Sequence, residues 1–336
     1  MRVLFITRKY PPQIGGMESF AFGLINNVKC QKETIILNKR QINLIWWLPY
    51  ALILSLIKSR RVDHIHLCDG LLAPIGLILK KIYHKPISVT VHGLDVTYQN
   101  WLYQNINVRC LKYLDKIICV SSSTKQDCLD KNISEKKLFV IPDGVETNKF
   151  QISNFKFQNN KKILLTVGRL VKRKGVEWFI NNIMPKLGTE YEYWVVGRGP
   201  EKENIEKAIL KNNLQNQVKL LGFVDDEKLQ KIYNQADIFI MPNIKVEGDR
   251  EGFGIVALEA GAYGLPVLAA DLEGLKDVIK NGENGYLVPE RNTQEYIKRI
   301  NDVLRNSELR DRAHQYVIEN FNWANISQKY SDIFKL

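Results

Sequence analysis

A chain of 336 residues with 45% hydrophobic content is long for one domain and comfortable for two, and nothing in it reads as a long disordered tail. Its 48 Lys and Arg against 36 Asp and Glu give a net charge of +12, which suits an anionic substrate, an anionic membrane or nucleic acid. No recognition helix, zinc-finger spacing or aromatic-basic RNA motif selects nucleic acid. Cys30, Cys68, Cys110, Cys119 and Cys128 form no close metal-ligand pair, and an odd number of cysteines favours a reduced compartment.

The opening MRVLFITRKYPP runs straight into a turn, without a signal-peptide cleavage pattern, and is expected to be the first buried strand of a cytoplasmic protein. Short apolar strands then alternate with helical patterns: VLFI at 3–6, HIHL at 64–67, ISVTV at 87–91, KIICV at 116–120 and LFVI at 138–141. Helices are expected over 18–27, 44–58, 72–83 and 123–130. This rhythm predicts a largely parallel α/β sheet.

After the first strand, Gly15 and Gly16 allow a loop to approach a ligand with exposed amides; a simple turn explains them as well. Residues 44–57, LIWWLPYALILSLI, are too few for an ordinary membrane span. Two readings stand. The stretch is a helix lying in a membrane interface, with Trp46, Trp47 and Tyr50 beside Lys58, Arg60 and Arg61, or it is a core helix with a basic exit. Residues 1–150 carry 21 Lys/Arg against 11 Asp/Glu, so the basic bias lies in this half. His64 and His66 are expected on opposite faces of their strand and make no metal pair. VTVHGLDVTY places His92, Gly93 and Asp95 at the end of a buried strand, where His92 would bond a sugar hydroxyl and Asp95 orient an acceptor; a capped turn is the plainer alternative.

A polar segment, 151–162, separates this half from a second strand series at 163–167, 193–197, 218–222, 238–242 and 266–270. In LLTVGRLVKRKGVEWFI, Gly168 releases a strand, and Arg169 and Lys174 flank the next helix as cations suited to a diphosphate. Gly197 and Gly199 follow another strand without the full dinucleotide GxGxxG pattern, which counts against NAD. Phe223 and Val224 would border a nucleobase or simply pack a loop. In EGFGIVALEAGAYGLPVLAA, Glu251 and Glu259 stand eight positions apart around a glycine turn. Eight residues span about 12 Å of helix, so the two acids reach different parts of an elongated ligand. The free amides at that helix start favour an anion. A sugar nucleotide fits both features. The tail from 291 onward is expected to be mainly helical and to brace the first domain.

Together PPQIGGMES, VTVHGLDVTY, VIPDGVETNKF, LLTVGRLVKRKGV, VVGRGPE, EGFGIVALEAGAYGLPV, NGENGYLVP and FNWANIS resemble the GT-B-fold retaining glycosyltransferases of family 4, in order along nearly the whole chain. The resemblance implies two Rossmann-like α/β domains facing across a central cleft. It divides the chain into an acceptor-binding domain at 1–150, a nucleotide-sugar domain at 151–318 and a returning helix at 319–336. It implies a UDP- or GDP-sugar donor, no cofactor and no required metal. Carried onto this chain, Arg169 and Lys174 clamp the diphosphate, Glu251 meets the donor sugar and Glu259 holds the ribose. Amides of Phe253, Gly254 and Ile255 surround phosphate or sugar, with Gly16 closing on them, and His92 lies near the transferred sugar. Gly197 and Val224 line the nucleotide.

The chain has PDG at 142–144 where PNG is common, MPN at 241–243 where proline-serine is usual, and a charged run at 247–250. The leading expectation is transfer to a lipid-linked or cell-envelope glycan, with peripheral contact to an anionic membrane at the inner face of the cell membrane. A soluble transferase acting on a metabolite, and a non-catalytic nucleotide-sugar binder, are the alternatives. Donor identity, linkage and oligomeric state are not encoded in these motifs.

Overall fold

A computed structural model describes residues 1–37, 41–146 and 161–336. Most of the polar segment expected to separate the two halves lies outside the described residues. The chain forms two compact units. The first comprises Met1–Val145, Gly248–Phe253 and Phe321–Leu336, the second Glu146–Glu247 and Gly254–Asn320.

The first unit is built on six parallel strands: β1 (Arg2–Thr7), β2 (Gln31–Ile36), β3 (His64–Leu67), β4 (Ile87–Val91), β5 (Lys116–Cys119) and β6 (Leu138–Val140), in the order β2-β1-β3-β4-β5-β6. Strands β3 and β4 are buried along their whole length, as expected for a sheet covered on both faces. Strand β2, QKETII, was not anticipated, because its polar start hides the apolar pattern of an edge strand. His64 and His66 share one face of β3, contrary to the sequence expectation, because residues two apart in a strand point the same way. Both rings meet the Ser88 hydroxyl, at 2.7 and 2.8 Å, and both lie against Phe334.

The helix Trp323–Lys335 completes this unit. Its start is capped by Asn322, whose side chain accepts from the Asn325 amide. Trp323 packs into the notch left by Gly23 on the helix Gly16–Asn27. Tyr330 reaches the Thr90 hydroxyl on β4 at 3.0 Å.

The second unit holds β7 (Lys162–Val167), β8 (Tyr191–Val196), β9 (Val218–Gly222), β10 (Ile238–Met241), β11 (Val267–Ala270) and β12 (Gly285–Val288), all parallel, in the order β12-β11-β10-β7-β8-β9. This is the doubly wound order of dinucleotide-binding folds, with its reversal between β7 and β10. Its core centres on Phe179, Tyr193, Ile240 and Tyr296, all fully buried. Each unit is thus Rossmann-like, as the strand-helix alternation predicts.

Candidate functional site

In parallel α/β sheets, ligands sit beyond the strand carboxyl ends, at the point where strand order reverses. In the first unit that point lies between β1 and β3. Arg8 follows β1 and Asp69 follows β3, and they form an ion pair of 3.0 Å across it. Asp69 is fully buried; its Oδ1 also takes the Leu71 amide, while its Oδ2 has no hydrogen-bond partner. Asp95, at the end of β4, accepts from the backbone amides of Gly70 and His92 at 3.1 and 3.0 Å. Burial and then the charge of Asp69 push its carboxyl up to about 6, against the pull of Arg8 and the two amides. Burial opposes the Arg8 charge, but Asp69 and Asp95 outweigh it and its pKa is raised. Tyr103 lies close by, its hydroxyl held neutral by burial and by the same two carboxylates.

His92 stands at the end of β4 with its ring edge on Phe20, at 5.1 Å between centroids, and its Nε2 is buried without a partner. Burial lowers its pKa, while Asp143 and Asp69 act the other way. Asp143, just beyond β6, is buried; burial raises its carboxyl to about 6, opposed by His92, and its Oδ1 is likewise unpartnered. The expected His92 and Asp95 are therefore joined by Arg8, Asp69, Tyr103 and Asp143, which sequence reading passed over. Asp69 carried a weaker form of the signal at His92: a polar residue two positions after a buried strand, behind Cys68.

Gly15 and Gly16 precede and open the helix Gly16–Asn27. The space above Gly15 is taken by Glu18, whose Oε2 lies 2.5 Å from where a Cβ would stand, and Glu18 is paired with Lys9 at 3.0 Å. A phosphate at Gly15 would have to displace that carboxylate.

The segment Gly248–Phe253 belongs to the first unit. Arg250 is ion-paired with Asp127, Gly248 lies against Gln99, and Gly252 lies against Gly93. Glu251 is buried in this irregular run. It therefore precedes the helix rather than opening it.

In the second unit, Gly168 ends β7 at the strand reversal. Lys174 turns back through the short helix Lys172–Lys174, bringing its Cε to 3.7 Å and its Nζ to 4.0 Å of the position a Gly168 Cβ would take. Lys174 is buried, whereas Arg169 is exposed. Gly197 ends β8 against the Gly168 carbonyl. The helix Ile255–Ala262 starts from Gly254, whose φ of 88° lies in the left-handed region that glycine adopts without steric cost. The N-cap residue is this glycine, which has no side chain to cap the helix start, and amides at such a start can serve an anion. Glu259 is in the helix's second turn, where Tyr233 donates to it at 3.3 Å. Burial raises its carboxyl to about 7, with the Tyr233 bond opposing. Tyr233 in turn stacks on Tyr263 at 5.0 Å. Val224 is nearly buried, and Phe223 is half exposed under the Arg198 guanidinium. Among the described residues no group of three or more His, Cys, Asp or Glu is placed to hold a metal ion.

Two family models match the chain: Glycosyltransferase Family 4 over residues 1–149 and Glycosyl transferases group 1 over residues 147–320. Glycosyltransferase MJ1607 of Methanocaldococcus jannaschii is 28% identical, over 100% of this chain and 98% of its own. The capsular polysaccharide biosynthesis glycosyltransferase CapM of Staphylococcus aureus is 26% identical, over 78% of this chain and 74% of its own. Anabaena HepE, solved with UDP, superposes with a TM-score of 0.81 at 18% identity over all of both chains.

Proposed function

Because this chain belongs to the family 4, group 1 glycosyltransferases, we propose that it moves a sugar from a nucleotide diphosphate sugar to a lipid-linked acceptor of a cell-envelope glycan, with retention of anomeric configuration. The observation that carries the donor side is Lys174, a buried cation returned to the carboxyl end of β7 where the strand order reverses. An ammonium there takes the charge that builds on the departing diphosphate. Arg169, exposed in the same loop, supplies a second, forked donor set.

In the proposed chemistry, the bond from anomeric carbon to phosphate oxygen breaks, and the acceptor oxygen bonds to that carbon from the same face. The acceptor proton passes to the leaving phosphate. Glu251 contacts the donor sugar, the amides of Phe253, Gly254 and Ile255 receive phosphate or sugar oxygens, and Glu259 accepts the ribose hydroxyls. Gly197 and Val224 line the nucleotide. His92 lies by the transferred sugar and Asp95 orients the acceptor side, with Gly15 and Gly16 near it.

The place of CapM in capsular polysaccharide biosynthesis and the complex of HepE with UDP support a polymer-building reaction and a UDP-sugar donor. Placement at the inner face of an anionic membrane is supported by the apolar helical stretch Gln41–Arg61, which with its flanking turns reaches 21 residues, beyond the apolar run 44–57 itself, and is mostly left uncovered by the rest of the protein. The helix Leu44–Lys58 within it leaves Trp46 79% exposed and buries Trp47, which is 6% exposed. Interface and core readings thus divide between two neighbouring tryptophans. The test is nucleotide release from a donor panel with and without lipid-linked acceptor extract. Release that needs the extract supports the proposal, and equal turnover on a soluble metabolite moves the acceptor to that class.

A further inference from the structure

The first unit carries three helical layers side by side on its sheet: Leu44–Lys58 packs along Ala73–Tyr83, which packs along the helical run 101–111. Each exposes large apolar side chains. On the first, Ile45, Trp46, Tyr50, Ile53 and Ile57 are exposed at helical spacing. On the second, Ile78 and Ile82 stand one turn apart and exposed. Around the third, Tyr98, Trp101, Leu102, Ile106 and Tyr113 are exposed, with Trp101 at 79%. Isolated surface apolar residues need no explanation, but a run across three adjacent helices does.

Charge identifies the occupant. Residues 34–62, 70–94 and 96–114, the stretches containing these helices, hold ten Lys and Arg and no Asp or Glu. The remaining parts of residues 1–150 hold eleven of each sign. Seven of these ten cations lie in the helical segments 41–61, 73–83 and 98–113 themselves, so most of the basic surplus of this half travels with the apolar helices. Of these cations, Lys58 and Lys80 are paired with Glu33 and Asp115, while Arg60, Arg61, Lys81 and Arg109 are exposed. Exposed Trp and Tyr among unneutralised cations match the headgroup level of an anionic bilayer.

We propose that residues 98–113 form a second membrane-contact element, which docks together with the helix Leu44–Lys58 on an anionic lipid surface and presents the acceptor side to it. This rests on the lipid-linked acceptor proposed above and adds where the lipid lies. The element follows directly on the helix Gly93–Thr97, whose first residue adjoins His92. Gln99, at its start, touches Gly248 of the Glu251 segment, at 3.0 Å from the position of a Gly248 Cβ. A lipid-linked acceptor carried in that bilayer therefore approaches the enzyme beside these candidate site residues.

The test is co-sedimentation of the full chain with vesicles of phosphatidylcholine alone, and with about 30% phosphatidylglycerol added. Wild type is expected to partition at least about tenfold better to the anionic vesicles, and the gain to shrink in high salt. Trp101→Ser/Leu102→Ser should lower that partition by about tenfold while leaving lipid-free donor hydrolysis and the folded circular dichroism spectrum unchanged. If this variant binds as wild type while Trp46→Ser does not, the second element is wrong and the membrane placement stands. If wild type binds neither vesicle, both fall. Burial of the face in a lipid-free dimer that dissociates in Trp101→Ser would also overturn the inference, assigning the face to a second copy of the chain.

Discussion

Gly93 and Gly252 meet backbone to backbone: a Cβ on Gly93 would stand 3.2 Å from the Gly252 Cα, and one on Gly252 would stand 3.1 Å from the Gly93 amide nitrogen. The contact holds the residue after Glu251 against the residue after His92. Two residues 159 positions apart thus fix how closely the two candidate site segments approach.

Gly252→Ala tests that approach. The added methyl has no flexible neighbour to push aside, so the two turns must separate by a few tenths of an ångström. Turnover is expected to fall by at least about tenfold, because positioning errors of this order are costly in catalysis. Thermal melting should move little. Wild-type turnover in Gly252→Ala would show that this approach does not matter.

Lys174→Ala is expected to lower kcat/KM for the donor by about 10²–10³-fold, the usual loss when one electrostatic partner of a developing charge is removed. Lys174→Arg should recover only part, because a forked guanidinium does not fit where a compact ammonium is buried. Donor titration and initial rates separate the outcomes, and unchanged kinetics in the folded variant would remove Lys174 from the diphosphate site.

The ribose role proposed for Glu259 predicts that donor binding depends on pH. Its carboxyl is raised to about 7 in the free protein, yet accepting two ribose hydroxyls requires the ionised form. Binding should therefore release protons near neutrality and weaken as pH falls below 7. The bare nucleoside, whose phosphates are absent, isolates this effect. Glu259→Gln should bind more weakly at pH 8 and show a flat profile from pH 8 to about 5.5; a wild-type slope in this variant would place the titration elsewhere.

Asp143 imposes a stability cost of the opposite sign to an ordinary paired carboxylate. Its folded pKa of about 6 lies above the reference value of 3.8, so the native state binds more protons than the unfolded state between those values. Stability contributed by this group is thus greatest at acid pH and declines as pH rises through about 6. Asp143→Asn, which restores the residue common at this position in the family, should stabilise the protein by about 2 kcal/mol at pH 7.5 and by little at pH 4. Chemical denaturation at the two pH values checks the difference.

Much of this was legible in the sequence because buried parallel strands are continuous apolar runs. HIHL, ISVTV and ILLTV announce themselves, and a glycine or polar residue within two positions of each marks a ligand-facing end. Strand β2 was hidden by its polar first half, and β12 by having four residues. The pair Arg8–Asp69 could not be read, since nothing in a linear chain shows that β3 lies beside β1. The sequence likewise could not separate Trp46 from Trp47, since neighbouring helical residues point about 100° apart and only the packed structure says which direction is the core. Asp143 was visible as a departure from a motif, but its burial near His92 was not.

The most direct measurement is the anomeric configuration of the product, by proton NMR, from a panel of UDP- and GDP-sugars incubated with lipid-linked acceptor extract, with nucleotide diphosphate release followed in wild type and in Glu251→Gln. One preferred donor, a product with the donor's configuration, and release that collapses in Glu251→Gln are expected. An inverted product, or undiminished release by folded Glu251→Gln, would rule out the retaining reaction at this site.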